Sequence, residues 1–361
     1  MEPDETPSER DAFAQRVHDA ALGFFDVMSI RLGDRLGLYE ALADGGALSP
    51  AELAVRAGIA ERYAREWLEQ QTAAGIVRIR DKDADVLRFH LPEGHAEVLL
   101  DRDSLSYAAP TVRSLMVLPP VMDALVEAYR TGGGVPWEAY GADNREGVGD
   151  SNRALYLRVM SREWLPAIPA VHRRLNAAPP ARVADIGCGT GWSSIAIALA
   201  YPDVSVHGFD RDPESIGLAR TTAASNGVAE RVVFDVGDSS KLDEAGTYDL
   251  VTFFECLHDM ARPVEALSAA RTMLARGGVV LVGDERTNDA FLGEQDGLDR
   301  YHYGWSVFAC LPHAMTDPGS AATGTVMRPS TLRRYASEAG FAGFEVLPIE
   351  HDSFRLYLLT P

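Results

Sequence analysis

Seven residues, Asp185-Ile186-Gly187-Cys188-Gly189-Thr190-Gly191, constrain this chain more than any others. They follow a short apolar run at 182–186 and precede a helical pattern at 192–200. Glycines on alternate positions let the backbone turn sharply out of a strand and present bare peptide to a ligand. Strand and helix patterns alternate from there on. Strands are predicted at 205–210, 232–236, 248–254 and 279–283, with helices at 213–226 and 264–274 between them. That alternation predicts an α/β domain, a Rossmann-like doubly wound sheet with helices on both faces. A helix at 331–339 and an antiparallel strand pair at 344–349 and 354–359 are predicted to close the pattern. Ligands of such sheets sit beyond the carboxyl ends of the strands.

The loop serves one of two cofactor types. A dinucleotide loop reads G-x-G-x-x-G, but Trp192 stands where its third glycine belongs. Asp185 also sits poorly beside a pyrophosphate, and suits an α-ammonium or a sulfonium. The second strand ends at Asp210, well placed for ribose hydroxyls. The third is followed by Gly237-Asp238-Ser239, whose carboxylate can accept from an adenine amino group. Each acid could equally cap a helix or turn, although three at successive strand ends around one glycine loop form a pattern.

The N-terminal half reads differently. Apolar residues including Leu22, Phe25, Met28, Leu32 and Leu36 recur at helical spacing through 13–43. Ser49, Pro50 and Glu52 start a short helix that Gly58 ends, and 61–74 forms another. Residues 75–79 and 86–91 look like two strands of a wing, so the domain is predicted to be a mainly α winged helix. DNA reading is disfavoured: residues 1–100 hold 19 acids against 11 bases, and Glu61, Glu66 and Glu69 outnumber Arg62 and Arg65. The expected division is a disordered tail at 1–10, a winged helix at 11–103 and a helical connector at 104–178. A sheet domain at 179–361 then carries an insertion at 286–329. Residues 131–150 read as a flexible break and polar loop.

Acids exceed bases by 53 to 34, a formal net of −19. That field repels phosphate backbones and anionic lipid, leaving small molecules as the expected partners. Cys188, Cys256 and Cys310 are spaced for neither a zinc site nor a disulfide framework, which fits a reducing cytoplasm.

Asp185 to Gly191, Asp210 and Gly237-Asp238 resemble the class I S-adenosylmethionine-dependent methyltransferases, over roughly 180–361. Glu255-Cys256-Leu257-His258-Asp259-Met260, with 271–285 after it, is similar to the corresponding stretch of small-molecule O-methyltransferases. Those usually read Leu-His-Asp-Trp; here Met260 replaces the Trp, and Ala261-Arg262 stand where another acid often follows. The whole chain looks closer to an actinobacterial-type, winged-helix subgroup. The resemblance implies S-adenosylmethionine as cofactor and S-adenosylhomocysteine as product, with transfer to oxygen of an aromatic or partly apolar metabolite (EC 2.1.1.-). It places Gly187, Cys188, Gly189 and Gly191 against the methionine part, and Asp185 near its ammonium. Asp210 and Arg211 take the ribose, Gly237, Asp238 and Ser239 the adenine, and Phe254 and Glu255 flank them. His258 becomes the general base or, in the plainer reading, a histidine that orders its loop, and Asp259 a cap. Asp284, Tyr303, Trp305 and His313 line the acceptor pocket, the aromatic insertion being a lid or a packing element. No metal is expected. The winged helix implies a homodimer. Two other readings stay open: a cofactor-sensing winged-helix regulator, and an enzyme that binds the cofactor without methylating.

Overall fold

A computed structural model describes residues 8–291, 293 and 297–361. The chain forms two compact units, one ending at Met116 and the other spanning Val117–Pro361. This boundary falls inside the stretch read as a connector.

The N-terminal unit contains helices α1 (Glu9–Arg35), α2 (Leu38–Gly45), α3 (Pro50–Ala57) and α4 (Glu61–Ala73), strands β1 (Arg78–Ile79) and β2 (Phe89–His90), then α5 (Glu93–Leu100) and α6 (Ala109–Leu115). Ser8 caps α1 by accepting from the Asp11 amide, so Glu9 and Arg10 are helical. The rest of the expected tail, residues 1–7, lies outside the described residues. Gly37, at φ 65°, separates α1 from α2 where the sequence reads one continuous helix. Ser49 and Glu52 form a reciprocal capping box on α3. The wing is short, with Arg78 opposite His90 and Ile79 opposite Phe89. Leu38, Leu42, Leu53, Leu68 and Phe89 build the core of the unit. Most apolar side chains of α1 stay outside it: Phe13, Phe25, Met28 and Leu32 are exposed.

The C-terminal unit opens with α7 (Met122–Thr131), followed by a 3-10 turn at Trp137–Tyr140 and α8 (Gly141–Leu155). The predicted polar loop is thus largely helix, which Gly141, Gly147 and Gly149 conceal in the sequence. The helix continues through π-helical turns at Tyr156–Trp164, whose Met160 and Trp164 are buried.

Seven strands make the sheet: β3 (Arg182–Ile186), β4 (Ser205–Asp210), β5 (Val232–Val236), β6 (Tyr248–Phe254), β7 (Leu274–Glu285), β8 (Gly343–Val346) and β9 (Phe354–Thr360). Their order is β5-β4-β3-β6-β7-β9-β8; β3 to β7 run parallel, and β9 is antiparallel to both β7 and β8. Side chains alternate between two cores, as both faces of a parallel sheet must be covered. Val183, Leu250 and Leu281 join one, while Ala184, Val251 and Val282 join the other. Strand order reverses at β3, whose neighbours are β4 and β6. The loops after β3 and β6 therefore open into one crevice. Among the described residues no helix is long and apolar enough to cross a membrane.

Candidate active site

Gly187, Gly189 and Gly191 all adopt left-handed backbone, with φ of 69°, 51° and 86°. A Cβ on Gly187 would lie 2.6 Å from Cys256 Cβ, and one on Gly191 would lie 2.7 Å from Phe234 Cζ. A Cβ on Gly189 would meet nothing within 4 Å. The outer glycines therefore pack the loop against the sheet, and the middle one faces open space. Its amide donates to Asp210 Oδ2 at 2.9 Å, while Asp210 Oδ1 accepts from the Asp212 amide at 2.9 Å. Burial pushes the Asp210 carboxyl up, and these amides oppose the shift.

Asp185 is placed differently from the expectation. It is 1% exposed, and its oxygens accept from the hydroxyls of Ser193 and Ser194 at 2.6 Å and of Thr252 at 2.8 Å. It anchors the glycine loop from beneath. Asp238 likewise serves its own turn, accepting from the Ser240 amide and hydroxyl and from Lys241 Nζ at 2.7 Å. Burial raises its carboxyl, but Lys241 and Ser240 outweigh that and pull it to about 2. Gly237 donates to Asp210 O at 2.9 Å, and the Ser239 hydroxyl lies 3.4 Å from Met260 Sδ. Arg211 reaches away to Asp317 at 2.8 Å. Cys188 and Phe254 are buried core members.

The helix missed from sequence spans these loops. A Cβ on Gly149 of α8 would collide with Thr190 Oγ1 and come within 3.2 Å of Thr190 Cβ and Cγ2. Arg145 makes a buried two-pronged ion pair with Asp212, at 2.5 and 3.2 Å. Arg153 stacks 4.9 Å from the Trp192 ring centroid, and Asn152 donates to Glu255. Glu255 itself has φ 49°, a sparsely populated backbone state for a non-glycine residue. Burial lifts its carboxyl to about 7.

His258 is 2% exposed on the 3-10 turn Leu257–Asp259 after β6. Its Nδ1 lies 2.8 Å from Asp284 Oδ1 and 3.0 Å from Glu285 Oε2, the last two residues of β7. Burial disfavours the imidazolium, yet Glu285 and Asp284 outweigh it and hold the ring well above its usual pKa. Burial drives Glu285 well up, while the imidazolium keeps Asp284 low. Asp284 is thus a partner of His258 through Oδ1. Asp259, expected to be a cap, instead places its carboxylate within 4.8 Å of the ligand atoms of His258 and Cys310.

The predicted pocket aromatics lie in the insertion, and His313 among them acts on Asp259 beside His258. The Tyr303 hydroxyl accepts from Arg328 at 3.1 Å, and the Trp305 ring stands against Tyr301. His313 packs 5.6 Å from Trp137 and helps hold Asp259 down against its burial. Residues 292 and 294–296 of the insertion lie outside the described residues.

Residues 179–325 match the family model described as a methyltransferase domain. This chain carries a methyltransferase domain. Residues 24–101 match an Rv2258c-like winged HTH domain, in agreement with the wing and its helices. The methyltransferase domain has distant relatives of known activity. Norajmaline N-methyltransferase of Rauvolfia serpentina is 31% identical over 104 residues, 28% of this chain and 35% of that protein. Ubiquinone biosynthesis O-methyltransferase of Burkholderia pseudomallei is 28% identical over 174 residues, 48% of this chain and 69% of that one. The chain spans 35% and 40% of the length of the two Rauvolfia serpentina N-methyltransferases it matches. Among solved structures, PigF with SAH superposes with a TM-score of 0.73 at 21% identity, covering 99% of this chain and 100% of that one. Human N-acetylserotonin methyltransferase in complex with SAM gives 0.71 at 19%, covering 98% and 99%. These likenesses show that the chain shares the fold of those structures.

Proposed function

We propose that this protein is an S-adenosylmethionine-dependent methyltransferase acting on an oxygen of a small molecule. The observation that carries the reading is the pairing of two features at adjacent strand ends. A glycine loop leaves Gly189 bare toward open space, and a buried histidine beside it is held by two carboxylates. The crystallised relatives with SAM and SAH support the cofactor.

The residues fit that cofactor. Gly189 offers peptide without a side chain, and Asp210, fixed by two amides, has lone pairs left for ribose hydroxyls. When bound, S-adenosylmethionine supplies a sulfonium-activated methyl group that departs by in-line displacement. What remains for the protein is alignment and proton removal. A neutral hydroxyl is a poor nucleophile near pH 7, and a positioned base is worth roughly 10²–10⁴-fold. His258 accepts that proton at Nε2 once its ring is neutral, a form that Asp284 and Glu285 shift to higher pH, with Nδ1 donating to Asp284. Asp284 and Glu285 then stabilise the imidazolium, and burial excludes competing water. Asp185 holds the loop through the three hydroxyls rather than through the cofactor.

Exposed Phe25, Met28 and Leu32 on α1 support pairing with a second copy, and the acidic surface with free cysteines supports a cytoplasmic setting. Calorimetric titration with S-adenosylhomocysteine, and with NADH in parallel, tests the cofactor. Micromolar binding of the first alone is expected; binding of NADH alone, or of neither, overturns the reading. Methyl transfer to a panel of phenolic acceptors, with His258→Ala as control, then tests the chemistry.

A further inference from the structure

A thiol of the insertion lies close to His258. Cys310 ends the π-helical turn Ser306–Cys310 of the insertion. Its Sγ, a ring nitrogen of His258 and an Asp259 oxygen all lie within 4.8 Å of one another. Nδ1 already serves Asp284 and Glu285, which leaves Nε2 for the sulfur. Thr325, 2% exposed and with its Oγ1 lacking a hydrogen-bond partner, stands against the same thiol. The turn is pinned from outside: Tyr140 Oη donates to Phe308 O at 2.8 Å, and the Val135 amide to Pro312 O at 2.9 Å.

The groups facing the imidazole are few and come from every neighbouring element. Glu255 follows β6, Asp259 shares the turn of His258, Asp284 and Glu285 end β7, and Cys310 comes from the insertion. His313, also from the insertion, acts on Asp259. Cys310 keeps a donor hydrogen for a neutral ring, since burial disfavours its thiolate. An S–H is a weak donor. It can therefore orient a ring nitrogen and still give way to an incoming O–H.

We propose that Cys310 is a positioning residue for His258, and that its thiol caps Nε2 until the acceptor's hydroxyl takes its place. Above the raised pKa of the ring, the cap holds the neutral form in the tautomer protonated at Nδ1, which is able to receive a proton at Nε2. No bond at sulfur is made or broken; the thiol keeps its proton, and only the hydrogen-bond partner of Nε2 changes. This rests on reading His258 as the proton acceptor, but its test needs no acceptor.

The test is ring ¹⁵N spectroscopy of the full chain labelled at histidine, titrated with pH and compared with Cys310→Ala and Cys310→Ser. Cys310→Ala is expected to move the Nε2 resonance of the neutral His258 ring toward that of an unbonded lone pair. Cys310→Ser, a stronger donor, is expected to move Nε2 the opposite way. Affinity for S-adenosylhomocysteine should not change in either. Identical Nε2 resonances in wild type and Cys310→Ala would overturn the proposal. So would an unmoved Nε2 in Cys310→Ser, which decides the matter even if the alanine variant fails to fold. Loss of the cap would leave the base assignment standing, whereas methyl transfer by His258→Ala would refute that assignment and leave the cap intact.

Discussion

Gly149→Ala is a small change with a calculable conflict. Alanine in the middle of α8 should favour the helix by about 1 kcal/mol over glycine. Against this, the new methyl collides with Thr190 Oγ1 and presses on Cβ and Cγ2 at 3.2 Å. Overpacking of this kind costs typically 1–3 kcal/mol. Rotation of the threonine relieves the hydroxyl clash but leaves its Cβ in place, so the glycine loop must shift. The shift is felt where the Gly189 amide meets Asp210 at 2.9 Å. We expect affinity for S-adenosylhomocysteine to fall by about 5–30-fold, the equivalent of one to two kcal/mol, with no rise in melting temperature. Calorimetric titration and thermal melting would be run as a cycle with Thr190→Ala, which removes Oγ1 and Cγ2. In that background Gly149→Ala should cost far less, with a coupling of about 0.5–3 kcal/mol. If Gly149→Ala alone melts higher and binds as tightly as wild type, the contact between α8 and the loop is looser than described and the reasoning fails.

Asp284→Asn removes the charged partner of His258 Nδ1, worth about 1.5–3 kcal/mol for a hydrogen bond to a charged group, and so lowers the pKa of the ring. His258 is raised in the folded chain, so its protonation stabilises the fold below the ordinary pKa and that stability is lost as pH rises through the folded value. The variant should flatten that slope in pH-dependent urea unfolding, and should move the acid limb of methyl transfer to lower pH. Asp185→Ala strands the hydroxyls of Ser193, Ser194 and Thr252 in a buried site, at about 1–3 kcal/mol each. Severe loss of unfolding stability is expected, and a stable variant that has merely lost cofactor affinity would return Asp185 to a cofactor contact. Phe25→Glu with Met28→Glu, both exposed on α1, should give a monomer in sedimentation with little change in melting. A wild type that is already monomeric removes the basis for that pairing.

The sheet was legible because strands such as 182–186 and 205–210 are bounded by turns and rich in β-branched or apolar residues. The glycine loop was legible because alternate glycines have few other uses. The partners of the site residues were not. Asp284 meets His258 across 26 residues because β6 and β7 are parallel neighbours with Phe254 opposite Gly283. Adjacency in sequence could not reveal that. Cys310 comes near the same ring from an insertion with no periodic signal. Asp185 and Asp238 were visible as acids at strand ends, but whether such an acid faces a ligand or its own neighbours depends on hydroxyls such as Ser193 and Ser240. Helix α8 was hidden by its own composition, since three glycines and many polar residues resemble a loop until their packing against Thr190, Asp212 and Glu255 is known.

That helix passes without interruption into the π-helical turns at Tyr156–Trp164, so its angular phase is set at both ends. Trp164 is locked in the core, while Arg145, Gly149, Asn152 and Arg153 meet the loops. Each residue advances a helix by about 100°. Deleting one residue between Arg153 and Tyr156 would swing the whole upstream contact set away from its partners, even with every side chain retained. In this segment, residue count is a functional variable in its own right. A length scan through it, rather than an alanine scan, would expose how the glycine loop is held.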